Sequence, residues 1–280
     1  MLLGGTIVGK WNSVAEWEQL LIRSRFKAIT APFSCKTAPA DIAAYCGAIE
    51  RNGVKIAEIG VWKNPMAPDP AEAAEALSYA KGQLRLADEL GIPCCVNIVG
   101  TSSPVAWDAA DSANFTAETY DRIIATIRDI IDDVNPRRAF YCIEPMPWMV
   151  PDGPDEYLQL IRDVDRAQFA AHMDFINMIN CPRRYLAPEA FIEKCFLKLR
   201  PYIKSTHIKD TRIHPTRLTT LLEECSPGEG TLDYERVLRI MDRLLPPDAP
   251  VLLEHMQTEE EYRAAYEYVA DKAEKINIRV

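Results

Sequence analysis

Short apolar runs alternate along the chain with longer segments in which apolar residues recur at helical spacing. The short runs predict strands over residues 6–9, 26–31, 54–60, 93–99, 139–144, 168–174, 202–208 and 251–254. The longer segments predict helices over residues 14–25, 39–52, 71–90, 116–134, 154–165, 188–199, 233–244 and 259–274. Asn12 or Ser13 is the expected cap of the first helix, and Gly53 and Gly91 are expected to end the second and third.

Eight strand–helix units in succession predict an α/β protein: a single domain over residues 1–280 folded as a parallel (β/α)₈ barrel, or TIM barrel. A doubly wound open sheet is the alternative, but no glycine-rich phosphate-binding motif follows the first strand. Long irregular stretches over residues 62–70, 100–115, 145–154 and 210–231 each follow a predicted strand. In a barrel, such loops build the face that carries the active site.

Composition and charge narrow the class of partner. Hydrophobic residues make up 48% of the chain and charged residues 26%, which is ordinary for a soluble protein. The net charge of −9 argues against a basic groove for nucleic acid. No run approaches the roughly 20 apolar residues of a membrane helix, so we expect a cytoplasmic protein without a membrane partner. The eight cysteines include no CxxC pair and are expected to be reduced, mostly as core residues.

Four polar residues come at the ends of the last four predicted strands: Glu144, Asp174, His207 and Glu254. A carboxylate at the end of an apolar strand is costly to bury without a partner, and a barrel brings these strand ends together. Three carboxylates and one imidazole suit one divalent cation. We expect Mn²⁺, with Mg²⁺, Co²⁺ and Zn²⁺ as alternatives. For any one of the four residues alone, an ordinary strand-end cap or ion pair is the alternative interpretation.

The motifs around these residues resemble those of the xylose-isomerase-like barrel superfamily, which includes ketose 3-epimerases and hydroxypyruvate isomerases. The matching segments are Ile143-Glu144-Pro145, Asp174, His207-Ile208-Lys209-Asp210, Pro227-Gly228-Glu229-Gly230 and Leu253-Glu254-His255. The resemblance covers nearly the whole chain and implies a carbohydrate substrate and one metal held by the four strand-end residues. It also implies that a proton leaves the carbon next to a carbonyl, giving an enediolate. Glu144 and Glu254 would then form the acid–base pair while touching the metal, with Asp174 and His207 mainly as ligands.

Six further residues are candidates for substrate binding: Glu58, Asn97, Trp148, Asn177, Lys209 and Arg212. Glu58 ends the third strand, where members of this superfamily often carry a glutamate, and a structural ion pair is an equal alternative. Lys209 shares inward parity with His207, and with Arg212 it could supply positive charge to a substrate oxygen or phosphate. Asn97 ends the fourth strand and could donate or accept a hydrogen bond.

The remaining histidines are weaker candidates. His172 is two residues before Asp174 and is expected in a lower, hydrogen-bonding layer of the barrel. His255 follows Glu254 and is expected to face outward in a structural role. His214 lies in the long loop after the seventh strand and is a candidate to reach the substrate.

Two departures from the ketose epimerase pattern bear on the substrate. Asn177 stands where those enzymes place a substrate-contacting histidine, three residues after Asp174. Residues 145–149 are rigid and apolar where a small polar residue is common. Trp148 in this segment either packs against the protein or stacks on a sugar ring or an aromatic aglycone.

If this apolar loop binds an aglycone, the chain resembles the catalytic subunit of bacterial C-glycoside deglycosidases, which share the barrel and the metal site. That resemblance implies a lyase that cleaves 3-oxo-glycosides by β-elimination and needs a small β subunit as partner. A sugar isomerase or epimerase is the first interpretation, and related barrels then imply a homo-oligomer. An apurinic endonuclease is a remote alternative, because these enzymes bind a cluster of zinc ions through many His, Asp and Glu ligands. This chain has only four histidines. A non-catalytic binding barrel is the other, and the intact ligand set argues against it.

Overall fold

The computed structural model describes all 280 residues and contains ten strands and nine α-helices. The strands are β1 (Leu2–Gly5), β2 (Ala28–Thr30), β3 (Lys55–Gly60), β4 (Cys94–Asn97), β5 (Phe140–Ile143), β6 (Phe169–Asp174), β7 (Ile203–Ile208), β8 (Asp210–Ile213), β9 (Leu222–Cys225) and β10 (Pro250–Leu253). The helices are α1 (Val14–Ser24), α2 (Pro39–Arg51), α3 (Pro70–Leu90), α4 (Ala117–Val134), α5 (Pro154–Val164), α6 (Pro182–Tyr185), α7 (Pro188–Leu199), α8 (Tyr234–Leu244) and α9 (Glu259–Lys275). A 3₁₀ helix spans Ser112–Phe115.

Eight of the strands close into a parallel barrel, which confirms the predicted fold. The order around the barrel is β1, β2, β3, β4, β5, β6, β7 and β10, and β10 pairs back with β1. Each crossover between neighbouring strands contains at least one helix, so all eight strands point the same way and their carboxyl ends meet on one face.

The first strand lies four residues earlier than predicted. Residues 2–5 pair with β10 on one side and with β2 on the other, whereas residues 6–9 form no strand. Close packing of the two neighbouring backbones requires a glycine in this strand. A Cβ atom on Gly4 would lie 1.6 Å from the carbonyl oxygen of Ala28.

An antiparallel hairpin occupies the stretch over residues 210–231 that was predicted as irregular. Strand β8 pairs with β9 through Asp210↔Cys225 and Ile213↔Leu222, outside the barrel sheet. Each strand has four residues and a mixed polar pattern, which is too little for periodicity to reveal. The hairpin extends from the carboxyl end of β7 and therefore stands beside the active-site face.

Local chemistry accounts for the ends of several helices, although the short helix α6 was not predicted. Ser13 caps α1 by accepting a hydrogen bond from the amide of Glu16, and Gly91 ends α3 in a left-handed conformation. The second helix ends one residue earlier than expected, with Asn52 as its cap and Gly53 just beyond it. Thr258 and Glu261 form a capping box at the start of α9.

One continuous apolar core of 64 buried residues joins the barrel to its helices. Helix α4 is amphipathic: Ile123, Ile127 and Ile130 lie on one face and are buried in this core. All eight cysteines are free; four are buried (Cys94, Cys95, Cys142 and Cys195), and Cys35 is exposed. No helix combines the length and hydrophobicity that a membrane span needs.

Two leucines of α7 differ in burial, so substituting each of them tests which face of this helix packs against the barrel. Leu199 is fully buried in the core, whereas Leu197 is 50% exposed. We expect Leu199→Ala to lower the free energy of unfolding by about 2–5 kcal/mol, because it leaves a cavity. Leu197→Ala, the matched control, should change it by less than about 0.5 kcal/mol. Urea denaturation measures both, and equal losses would contradict the packing described here.

Candidate active site

A large cavity opens at the carboxyl ends of the barrel strands. Its volume is about 1010 Å³, and it is lined by residues from every long loop on this face. Its lining combines apolar side chains with polar and acidic ones. Three of the four predicted metal ligands line it, namely Glu144, His207 and Glu254, and Asp174 lies directly beneath them.

The structure brings the four predicted ligands together. Strands β5, β6, β7 and β10 deliver Glu144, Asp174, His207 and Glu254 at or close to their last residues. One potential ligand atom from each of the four lies within 4.8 Å of all the others. His207 Nδ1 is 3.0 Å from Glu144 Oε1 and 3.0 Å from Glu254 Oε1.

This spacing fits a divalent metal ion. An ion with ligands at roughly 2.0–2.1 Å in octahedral geometry places adjacent ligand atoms about 3 Å apart. The donors are carboxylate oxygens and one imidazole nitrogen, which suit Mn²⁺ or Mg²⁺. Asp174 is fully buried, and its Oδ1 accepts the amide hydrogen of Asn177. Its Oδ2 lies 2.8 Å from Lys209 Nζ but accepts no hydrogen bond of good geometry, so this oxygen remains free to bind an ion.

Glu58 holds His207 in the orientation that a metal ligand needs. Its carboxylate Oε1 lies 2.9 Å from Nε2 of His207, which places the ring proton on Nε2 and leaves Nδ1 facing the other three ligands. Its second oxygen accepts from Ser205 at 2.6 Å and contacts Nε2 of His172 at 3.0 Å. Although burial opposes ionisation, His207 and His172 lower the pKa of Glu58. Glu58 therefore lines the cavity, as its predicted role requires, and is at the same time the partner of two buried histidines.

Burial and mutual repulsion shift the pKa values of the clustered groups. Burial, together with the charges of Glu144 and Glu254, raises the pKa of Asp174 to about 6. Burial opposes protonation of His207, but Glu254, Glu58 and Glu144 outweigh it and raise its pKa well above the usual value. Burial also opposes ionisation of Glu254, yet His207 and Lys209 lower its pKa well below the usual value. Positive charge from Lys209 and His207 thus offsets the cost of burying these carboxylates, and a metal ion bound to Nδ1 of His207 would supply that charge in place of a second ring proton.

Lys209 does not line the cavity, contrary to its predicted role in substrate binding. It does face inward with His207, but its side chain is fully buried below the cavity floor. Its Nζ contacts Asp174 at 2.8 Å, Glu254 at 2.7 Å and Glu224 at 2.9 Å. These carboxylates raise the pKa of Lys209 well above the usual value despite burial, so it remains an ammonium ion. Lys209 is the internal counter-charge of the ligand cluster.

Two other predicted substrate residues are also placed elsewhere. Arg212 alternates outward along β8, where it is exposed and pairs with Glu223 on the opposite strand. Asn97 is fully buried, and its amide group exchanges hydrogen bonds with the backbone of Lys63 and contacts the Tyr141 hydroxyl. The side chain of Asn97 therefore anchors the loop after β3 and is not among the residues that line the cavity.

Trp148 and Asn177, both predicted to bind substrate, line the cavity. Trp148 is 38% exposed, and its indole Nε1 donates to the carbonyl of Asp108 at 2.7 Å. A hydrogen bond from Asn114 to the Trp148 carbonyl fixes the backbone of this loop as well. The Asn177 amide nitrogen is 3.8 Å from Met146 Sδ, which leaves most of its hydrogen-bonding capacity to the cavity.

Several cavity residues were not predicted. Glu224 on β9 contacts Lys209 and also His255 Nδ1, the latter at 2.7 Å. His255 was expected to face outward, yet it lines the cavity with Nε2 3.2 Å from Glu254 Oε1. No signal could have found Glu224, because the hairpin that carries it was not predicted. His214 does not line the cavity.

Two cavity residues have a left-handed backbone conformation outside any helix terminus. These are Trp62 (φ 48°) and His255 (φ 62°), while the other four non-glycine residues of this kind follow the ends of helices. Such a conformation is unfavourable for a bulky side chain, and residues that adopt it cluster at functional sites. His255 thus combines this conformation with a side chain that lines the cavity.

Asp210 explains the glycine-rich segment that follows the hairpin. Its carboxylate accepts four backbone hydrogen bonds, from Thr211, Gly228, Thr231 and Leu232. A Cβ atom on Gly230 would lie 2.1 Å from Asp210 Oδ1, so only glycine fits there. The Pro-Gly-Glu-Gly motif thus holds the base of the hairpin beside the predicted metal ligands.

Comparisons with known proteins agree with this architecture. The sequence profile of the family described as xylose isomerase-like TIM barrel matches residues 25–275. No curated protein sequence matches the chain significantly.

Among solved structures, the chain is similar to a xylose isomerase-like TIM barrel protein from Mycobacterium smegmatis in complex with magnesium (16% identity, 97% of this chain and 96% of that one, TM-score 0.69). It is also similar to 3-keto-D-glucoside 4-epimerase from E. coli (13% identity, 97% and 99%, TM-score 0.69). Endonuclease IV from Thermus thermophilus is equally similar in fold (14% identity, 98% and 100%, TM-score 0.72). These identities establish the fold and leave the reaction open.

The contact between Glu58 and His207 gives a test of the ligand set. We expect Glu58→Gln to weaken Mn²⁺ binding by about 10–100-fold, because the amide no longer fixes the proton on Nε2 of His207. His207→Ala, which removes the ligand itself, should weaken it further. Glu223→Gln on the hairpin is the control and should leave the affinity unchanged. Calorimetric titration measures all three, and full affinity in both site variants would exclude His207 as a ligand.

Proposed function

This chain belongs to the xylose isomerase-like TIM barrel family, and within it we propose a divalent-metal-dependent carbohydrate enzyme that removes a proton next to a carbonyl. We favour a keto-sugar isomerase or epimerase. The observation that carries the proposal is the placement of Glu144 and Glu254, each 3.0 Å from the same imidazole nitrogen at the floor of one cavity. Two carboxylates that lie beside one proposed metal position and also line the cavity suit proton transfer on a bound sugar.

The metal would be held by Glu144, Asp174, His207 and Glu254. Mn²⁺ is the ion we propose, although a neighbour of similar fold holds magnesium and the oxygen-rich donor set also suits that ion. A bound divalent cation supplies Lewis acidity, which polarises a carbonyl and stabilises the negative charge that develops when the adjacent carbon loses its proton. Glu58 and Lys209 support the site by orienting His207 and by neutralising Asp174 and Glu254.

Glu144 and Glu254 would carry the proton. One carboxylate takes it from the carbon next to the carbonyl, which gives the enediolate of the sugar. The other delivers a proton to the enediolate, at the same carbon from the opposite face or at the neighbouring carbon. Glu254 is held for this by Lys209 on Oε2 and by His255 at 3.2 Å from Oε1, so its carboxylate has a fixed orientation. The first outcome is an epimer and the second an isomer.

Uncharged polar groups on the cavity wall suit the hydroxyl groups of a carbohydrate. They include Thr6, Thr30, Asn177, Asn180, Thr211 and Gln257. Hydroxyls and amides both donate and accept hydrogen bonds, as sugar hydroxyls require. A DNA substrate is disfavoured, since no lysine or arginine lines the cavity to neutralise phosphates.

A second candidate is β-elimination from a 3-oxo-glycoside. It is favoured by the apolar wall of Met146, Pro147 and Trp148 directly after Glu144. The first step is unchanged: a carboxylate removes the proton next to the ketone. The electron pair then expels the group on the neighbouring carbon and forms a carbon–carbon double bond, and the departing aglycone receives a proton. The same ligand set serves both candidates.

Glu144→Gln tests the proton transfer that both candidates share. The variant keeps one ligand oxygen, so we expect it to retain much of the Mn²⁺ affinity. It should lower the rate of deuterium incorporation next to the carbonyl by about 10²–10⁴-fold, because an amide takes up no proton at neutral pH. The measurement is NMR of the substrate in D₂O, with Glu223→Gln as the matched control. Unchanged exchange in Glu144→Gln would refute the mechanism.

Product analysis separates the two candidates. The Mn²⁺-loaded protein is offered free ketoses in D₂O and, separately, a 3-oxo C-glycoside. Deuterium next to the ketose carbonyl together with a new epimer or isomer would establish the isomerase. Free aglycone from the glycoside would establish the lyase instead. If neither product formed, the proposed function would be wrong for the protein acting alone.

A further inference from the structure

We infer that Glu224, on hairpin strand β9, is a positioning residue for the proposed proton transfer, because it completes a closed ring of four side chains that fixes the carboxylate of Glu254. The other two members of this ring are Lys209 and His255. The inference rests on the proposed function, in which Glu254 carries the proton. Two independent observations support it: the contacts around the ring and the backbone conformation of His255.

Four contacts close the ring. Lys209 Nζ donates to Glu254 Oε2 at 2.7 Å and lies 2.9 Å from Glu224 Oε2. His255 Nδ1 lies 2.7 Å from Glu224 Oε1, and Nε2 of the same imidazole lies 3.2 Å from Glu254 Oε1. Nδ1 of His207 is also 3.0 Å from Glu254 Oε1, but this nitrogen faces the proposed metal position. Each carboxylate thus meets Lys209 with one oxygen and His255 with the other, which restrains its rotation.

Glu224 is the member of the ring on which the position of His255 depends. Lys209 is fully buried and also contacts Asp174, so it keeps two carboxylate partners without Glu224. The ring nitrogens of His255 contact only the two glutamates. Removal of Glu224 therefore frees the imidazole of His255 and opens the ring beside Oε1 of Glu254.

The backbone of His255 supports the same role for Glu224. His255 has a left-handed conformation (φ 62°), which is unfavourable for a side chain of this size and persists only where the surrounding structure maintains it. The side chain is 56% exposed, so packing alone does not maintain it. The contact with Glu224 is the shorter of the two that the imidazole makes. Glu224 therefore keeps His255 beside Glu254 despite the unfavourable backbone.

The hairpin itself fixes Glu224. Glu224 pairs in register with Thr211 on β8, and the hydroxyl of Thr211 donates to the backbone carbonyl of Glu223 at 3.1 Å. The carboxylate of Asp210 binds backbone amides at both sides of the hairpin base. Glu223, the neighbour of Glu224, pairs with the exposed Arg212 and does not line the cavity. Two adjacent glutamates of one strand therefore differ in their contacts, which makes Glu223 a matched control.

Crystal structures of variants test the positioning directly, without substrate. In Glu224→Gln the amide has one acceptor oxygen where the carboxylate has two, so it cannot accept from both Lys209 and His255. We expect the imidazole of His255 to move beyond about 4 Å from Glu254 Oε1, outside hydrogen-bonding range, and the Glu254 carboxylate to adopt a second orientation. Glu223→Gln should leave both side chains in place. Unmoved His255 and Glu254 side chains in Glu224→Gln would overturn the inference.

Deuterium exchange on D-fructose in D₂O, at saturating Mn²⁺, measures the effect on proton transfer. We expect Glu224→Gln to lower kcat for exchange by about 10–100-fold and to change KM by less than about threefold, because it misplaces a carboxylate but removes no metal ligand. Glu224→Asp should lose as much, since the shorter side chain keeps the charge but cannot reach both partners. Full activity in Glu224→Asp would show that only the charge matters and would overturn the positioning role.

The two measurements together separate this inference from the proposed function. If the unaltered protein exchanges no proton while the ring opens in crystals of Glu224→Gln, the proposed reaction is refuted and the role of Glu224 in orienting Glu254 stands. If the unaltered protein exchanges the proton and Glu224→Gln does so as fast as Glu223→Gln, the inference is refuted and the reaction stands.

Discussion

The structure depends on one electrostatic constraint: carboxylates that the barrel buries at its carboxyl end must each meet a positive charge. Placing an ion in a protein interior costs several kcal/mol, and clustering like charges adds to this cost. Glu58, Glu144, Asp174 and Glu254 meet that requirement through His207, Lys209 and the divalent cation that we propose. Lys209 is not a metal ligand, but its fully buried ammonium group contacts two of the predicted ligands and also Glu224 on the hairpin.

The barrel meets this constraint because its parallel strands end at one face. Short strands with apolar side chains support the ligands from below, and longer loops surround them. The hairpin β8–β9 contributes Glu224, which contacts both Lys209 and His255. Asp210 and the Pro-Gly-Glu-Gly segment hold the base of this hairpin. The predicted metal ligands therefore lie at the ends of barrel strands, while the loops and the hairpin supply much of the cavity wall.

Much of the fold and the assembly of the ligand cluster could be predicted from the sequence, because both follow from local patterns. A charged residue at the end of an apolar strand can be recognised from the sequence, as Glu144 and Asp174 were. Side-chain parity placed Lys209 on the inner face but did not reveal that ion pairs would hold it below the floor. Arg212 was misplaced because the alternation of β8 depends on a hairpin that four-residue strands do not signal. The first strand was shifted because packing against Ala28, which no local pattern shows, requires Gly4.

The central claim is that Glu144, Asp174, His207 and Glu254 together hold one catalytic metal ion. Anomalous X-ray diffraction from crystals of the Mn²⁺-loaded protein tests it most directly. We expect one strong anomalous peak within bonding distance of Nδ1 of His207 and of an oxygen from each of the three carboxylates. A peak elsewhere, or none at full Mn²⁺ loading, would contradict the claim and leave the cluster as an ion-pair network around Lys209.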